Sequence, residues 1–109
     1  SSGARGLTRF ELPLLGKDDP PSRYTIKLHF VELDPHPAGE RVFDIQLQGA
    51  VVERGLDITA EVGRGAALVR TFRGIEVNGR LQVELVPRGT QPPLLCGVEV
   101  ISEDDTAAP

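Results

Sequence analysis

From Tyr24 to Phe30, apolar and polar residues alternate without a break: Tyr24, Ile26, Leu28 and Phe30 fall on one face, Thr25, Lys27 and His29 on the other. Successive side chains of a strand point to opposite faces, so this period of two predicts a half-buried strand within Tyr24–Leu33. Arg41–Leu47 repeats the pattern, with Phe43, Ile45 and Leu47 inward and Asp44 and Gln46 outward, so the two stretches share one core. Phe10–Leu14 is a shorter strand whose internal Pro13 cannot donate to a ladder, which suits an edge or a strand end. Gly16–Ser22 and the proline-rich Asp34–Glu40 are turns. Gly49 turns the chain into Val51–Glu53, after which Leu56, Asp57 and Ile58 lead into a flexible Gly63–Gly65 connection.

Two further strands, Leu68–Val77 and Leu81–Val86, flank Asn78-Gly79, a dipeptide favoured in two-residue hairpin loops. That loop would place Ile75 opposite Gln82 and waste one apolar face. A three-residue loop, with Glu76 paired to Arg80 and Gly79 in a left-handed bulge position, keeps Ile75 against Leu81 and is the geometry expected. After the turn Pro87–Pro93, the nearly continuous apolar run Leu94–Ile101 reads as a central strand covered on both faces. Seven or eight short strands and no helical period predict an all-β fold, an antiparallel β-sandwich of jelly-roll type.

The length of 109 residues allows one core. It spans residues 9–101 in this reading, after a linker over 1–8 and before a flexible acidic tail over 102–109. A net charge of −4 with no basic stripe argues against nucleic acid, and no apolar run is long enough to span a membrane. The single cysteine, Cys96, cannot form an intrachain disulfide, and its apolar context predicts a buried thiol.

In order along the chain, FELPL, YTIKLHFVEL, RVFDIQLQGAVVERGLDI, NGRLQVELVP and PPLLCGVEV resemble the strands of the malectin domain, a sugar-binding β-sandwich. The RVFDI…G…VV…LDI string is the most specific part. The resemblance covers only the C-terminal part of that domain: either this is a shortened version, or a neighbouring domain or second copy closes an open sheet edge. It implies a non-catalytic, extracytoplasmic carbohydrate-binding module that needs no cofactor. The residues of the family's sugar platform are replaced or lack counterparts: Asp34 and Pro35 stand where adjacent aromatic residues are expected, and Gln91 where an acidic residue is.

Aromatic rings stack on sugar faces, but this chain has one tyrosine, four phenylalanines and no tryptophan, and Tyr24, Phe30 and Phe43 fall on the core phase. An oligosaccharide would instead meet polar groups of two loops that the resemblance places side by side: Asp34 and His36 in one, Arg88, Thr90 and Gln91 in the other. Glu32, Asp34 and Asp44 could meet at one strand end as oxygen ligands for Ca²⁺, but no DxDxDG-like spacing supports a metal site. Two histidines, His29 and His36, without GxSxG or HExxH context leave no catalytic set. The alternative function is a structural or protein-interaction sandwich that has lost sugar recognition.

Overall fold

The computed structural model describes residues 8–33 and 37–103. The linker expected at the N-terminus, apart from Thr8, and the acidic tail beyond Glu103 lie outside the described residues. Seven strands and one helical turn follow in order: β1 Thr8–Pro13, β2 Ser22–Val31, β3 Val42–Leu47, β4 Ala50–Asp57, α1 Ile58–Val62, β5 Ala67–Val77, β6 Arg80–Pro87 and β7 Gly97–Ser102. They form two antiparallel sheets, ordered β1-β6-β3-β4 and β5-β2-β7.

The alternation in β2 and β3 is what packs these sheets together. Ile26, Leu28 and Phe30 from one sheet and Phe43, Ile45, Leu81, Val83 and Leu85 from the other are all fully buried. The Phe30 and Phe43 rings meet across the interior with centroids 5.7 Å apart, a tilted arrangement that suits the quadrupoles of both rings. Pro13 ends β1 on a sheet edge, where its missing N–H costs nothing.

β3 and β4 are joined by a two-residue loop, Gln48–Gly49, with both residues at positive φ, the backbone twist that tight hairpins favour. Gln48 accepts this conformation because its side chain is tied down: Oε1 accepts from the Gln82 N–H at 2.6 Å, and Nε2 donates to the Glu76 and Arg80 carbonyls. In β5 the register on β2 slips between Phe72 and Ile75, with Gly74 at φ +69° in the gap. The slip flips the side-chain parity, so Leu68 and Phe72 before it and Ile75 and Val77 after it all face the core.

Asn78-Gly79 does not close a hairpin. β5 pairs with β2 and β6 with β1 and β3, so the dipeptide carries the chain from one sheet to the other. Ile75 pairs with Tyr24 and Leu81 with Leu12, so neither the expected Glu76–Arg80 pair nor the expected Ile75–Leu81 pair forms. The parity conflict that a two-residue hairpin would create is resolved by sending the two apolar sets to facing sheets, where Val77 and Leu81 are both fully buried.

Three other expectations are corrected. β7 is an edge strand rather than a central one, leaving Ile101 39% exposed, because Leu94 and Leu95 pack against the core outside any ladder after Pro92-Pro93. Cys96, just before β7, is exposed rather than buried. The helical turn α1 interrupts the all-strand reading; Asp57 caps it by accepting from the Ala60 N–H at 3.2 Å, and Gly63 ends it at φ +82°.

Candidate functional site

At the end of the sandwich where β2 and β6 finish and β3 begins, the flanks of the two loops named as ligand-bearing come together. The Arg88 and Gly89 N–H groups donate to the Val42 carbonyl at 2.7 and 3.2 Å, and the Gln91 N–H donates to the Glu40 carbonyl at 2.9 Å. Gly89 sits so close to this neighbour that a Cβ there would overlap the Glu40 carbonyl oxygen and lie 2.9 Å from its carbon. Gly89→Ala must therefore displace backbone, and we expect a loss of about 1–3 kcal/mol in chemical denaturation, with faster hydrogen exchange at the Gln91 amide.

Beneath the loops lies a buried clamp. The Glu32 and Arg41 side chains are only 1% and 8% exposed, and Arg41 Nε donates to Glu32 Oε1 at 2.5 Å. Arg41 Nη1 also donates to the Pro92 carbonyl at 2.6 Å, tying the start of β3 to the second loop. Both residues continue the core-facing phase of their strands, Glu32 after Phe30 and Arg41 before Phe43. An ion pair seated there stays out of water, and its geometry is correspondingly fixed.

A second pair flanks the first. Asp44 lies on the outward phase of β3 yet is 3% exposed, because Arg88 covers it: Nη2 and Nε donate to Oδ2 at 2.6 and 2.9 Å, and the Gly55 N–H donates to Oδ1 at 2.9 Å. Asp57 adds a third tie, its Oδ2 accepting from the Gly39 N–H at 2.6 Å while Oδ1 caps α1.

The Arg88 hydrogen bond holds the Asp44 carboxyl below the usual carboxylate range, against the opposing effect of burial and with help from the Gly55 N–H. A lowered folded pKa means that this stabilisation is present above the unfolded carboxylate value and is lost as pH falls through the lower folded one. Urea titrations of the wild type and Asp44→Asn should therefore differ most near neutral pH, and the gap should shrink as pH falls through the lowered value of the folded carboxyl.

Of the five residues named from the sequence, the structure brings Arg88, Thr90 and Gln91 onto one rim: Arg88 and Thr90 are exposed and Gln91 half-buried. Asp34 and His36 lie outside the described residues. The carboxylate cluster does not form as a metal site from its described members, since Glu32 is held by Arg41 and Asp44 by Arg88. No group of three or more His, Cys, Asp or Glu side chains placed to hold a metal occurs among the described residues. His29 shares a hydrogen bond with Glu99 at 3.2 Å on the outer face of the three-stranded sheet.

All five aromatic residues are described and none forms a platform on the rim: Tyr24, Phe30 and Phe43 are buried, and Phe10 and Phe72 pack against the same core. The residues that build the rim, Glu32, Arg41, Asp44 and Asp57, were not singled out as its supports from the sequence. For Glu32 and Arg41 the signal is there, since a charged residue continuing an apolar phase is placed inside.

Comparisons with known proteins agree with this architecture. Among curated proteins, the nodulation receptor kinase of Pisum sativum is 32% identical over 85% of this chain, which spans only 10% of that relative's length. Among solved structures, a chain from the crystal structure of plant peptide RALF23 in complex with FER and LLG2 superposes with a TM-score of 0.71 at 22% identity, covering 88% of this chain and 27% of that one. The ANX1 ectodomain from Arabidopsis thaliana gives 0.71 at 17% identity, covering 91% of this chain and 30% of that one. Among the described residues no helix is long and apolar enough to cross a membrane. The family model of the Malectin domain matches residues 10–91, a span that runs from within β1 through the whole of β6; the chain belongs to the malectin domain family.

Proposed function

We propose that this domain is a non-catalytic recognition module of a larger extracytoplasmic protein, and that its ligand, an oligosaccharide, docks on the rim formed by Arg88, Thr90 and Gln91 with Asp34 and His36 of the adjoining loop. The observation that carries this reading is the clamp: Glu32, Arg41 and the Pro92 carbonyl tie the end of β2, the start of β3 and the second loop together over a buried base, so the described flanks of the rim are held in place before any ligand arrives. Descent from a sugar-binding family supports the ligand class, and similarity to receptor kinases and to a plant ectodomain supports the compartment. With Tyr24, Phe30 and Phe43 buried and Phe10 and Phe72 packed against the core, no tyrosine or phenylalanine ring is left for this rim, and recognition rests on hydrogen bonds.

That absence of rings favours a second reading, in which the same rim docks a protein. Isothermal calorimetry with glucose-containing oligosaccharides at millimolar concentration separates the two. Saturable heat that disappears in Thr90→Ala/Gln91→Ala supports the first reading. Flat titrations across the oligosaccharide set reject it and leave the protein-docking rim.

A further inference from the structure

The opposite end of the sandwich carries a second polar constellation, on the outer face of the three-stranded sheet. Glu103, immediately after β7, reaches back over β2: its Oε2 accepts from the Thr25 hydroxyl at 2.8 Å and from the Gly74 N–H at 2.8 Å. Thr25 is 6% exposed, so its hydroxyl rises from the floor of the face. Gly74 occupies the β5 register slip, and its φ of +69° turns the N–H outward. A bulge glycine and a buried hydroxyl thus converge on a single carboxylate oxygen.

The surroundings are basic and roomy. An open cavity of about 720 Å³ is lined by Thr25, Lys27, Arg73, Gly74, Ile101, Ser102 and Glu103. That volume falls within the range of about 300–1,000 Å³ of small-molecule sites, far beyond what one carboxylate fills. Lys27 and Arg73 supply cations, and the half-exposed Ile101 supplies an apolar wall. Hydrogen bonds from Gly74 and Thr25, with the charges of Arg23 and Arg73, also hold the Glu103 carboxyl below its ordinary range, so the occupant is anionic. The rim lies beyond the other end of β2: Thr25 and Glu32 are seven residues apart along an extended chain, roughly 23 Å at about 3.3 Å per residue.

We propose that this face is a carboxylate-binding site in which Glu103 is a built-in occupant that an external carboxylate, from a sugar acid or an acidic peptide, displaces. Two aimed donors set the position of the carboxylate oxygen, two cations attract it, and the cavity beside it accommodates the rest of the ligand. Intramolecular occupancy makes the site self-competing: the tethered carboxylate is present at high effective concentration and raises the ligand concentration needed.

The experiment is amide NMR of the ¹⁵N-labelled chain, following Gly74 while sodium D-glucuronate, N-acetyl-glutamate amide or neutral D-glucose is added to the wild type and to Glu103→Ala. Removing the occupant should shift the Gly74 amide, and a carboxylate should return it saturably towards its original position. The wild type should need at least about tenfold more ligand, because its own carboxylate competes. Adding Lys27→Ala and Arg73→Ala to the Glu103 variant should weaken binding by roughly tenfold or more.

Saturation by glucuronate alone identifies a sugar acid, and saturation by the glutamate derivative alone identifies an acidic peptide; either supports the site. A Gly74 amide that stays fixed with both carboxylates, or that responds equally to glucose, overturns it. Should Glu103→Ala lose the dispersed spectrum of a folded chain, Glu103→Gln, which keeps the shape without the charge, takes its place in the same titrations, with the same responses supporting or overturning the site. None of these outcomes bears on the rim, which lies at the other end.

Discussion

Replacing Arg41 by methionine will cost the domain about 3–5 kcal/mol, a large part of the roughly 5–15 kcal/mol that holds a domain of this size folded. The reason is the clamp: methionine keeps the volume but removes the guanidinium that faces the 1%-exposed Glu32 carboxylate and the Pro92 carbonyl. The folded state then has to hold that charge out of water without the guanidinium, which is far worse than never having had the pair. Denaturant midpoints measure the loss, and the double variant Glu32→Met/Arg41→Met should recover much of it, since both charges leave together. A loss below about 1 kcal/mol would show that the pair behaves as a solvated surface bridge. The same variant should raise hydrogen exchange at the Gln91 amide, because the second loop loses its tie to β3.

Phe43→Ala will cost a similar amount, about 3–5 kcal/mol, by a different mechanism. Phe43 is fully buried and its ring meets Phe30 of the other sheet, so truncation removes transfer free energy and leaves a cavity between the layers. β3 is held in its sheet by β4 and β6 on either side, which limits how far the layer can close over that space. Calorimetric melting should show the drop, while Leu33→Ala, at a side chain 73% exposed, should stay within about 0.5 kcal/mol of wild type. Comparable losses at the two positions would mean that Phe43 is not a keystone of the core.

Period-two alternation makes the core legible: the inward residues read from β2 and β3 are all buried, because side-chain phase is a local property of an extended chain. Pairing is not local, and there the pattern misleads. Asn78-Gly79 suits a hairpin turn, yet whether its flanking strands pair with each other depends on what β1, β2 and β3 offer, which no window around residue 78 contains. The Gly74 register slip compounds this, since it reverses parity within β5 and leaves no continuous pattern to extend. The apolar run before and through β7 misleads for a related reason: hydrophobicity records burial against something, and Leu94 and Leu95 are half-buried as packing residues outside a ladder.

For the candidate site, the sequence exposes the polar tips Arg88, Thr90 and Gln91 but not their supports. Glu32 and Arg41 announce themselves only when a charge falling on an apolar phase is taken to be a buried pair rather than the end of a strand. Asp44 is a harder case. Its outward phase is as expected, and only the Arg88 side chain from a distant strand end takes it out of solvent.

The crossing at Asn78-Gly79 also shapes how the chain assembles in time. Because it denies β5 and β6 to each other, β3–β4 is the only pairing of chain-adjacent strands among the described residues, while β1 must find β6 and β2 must find β5 and β7 over long stretches of sequence. Closing such long loops comes before any reward from their contacts, which places the domain among slow, high-contact-order folders on the scale of roughly milliseconds to seconds. Among the described residues the β3–β4 hairpin is the one strand pair closed by a local turn, and β1 and β7, the first and last strands of the chain, each join a different sheet as an edge strand.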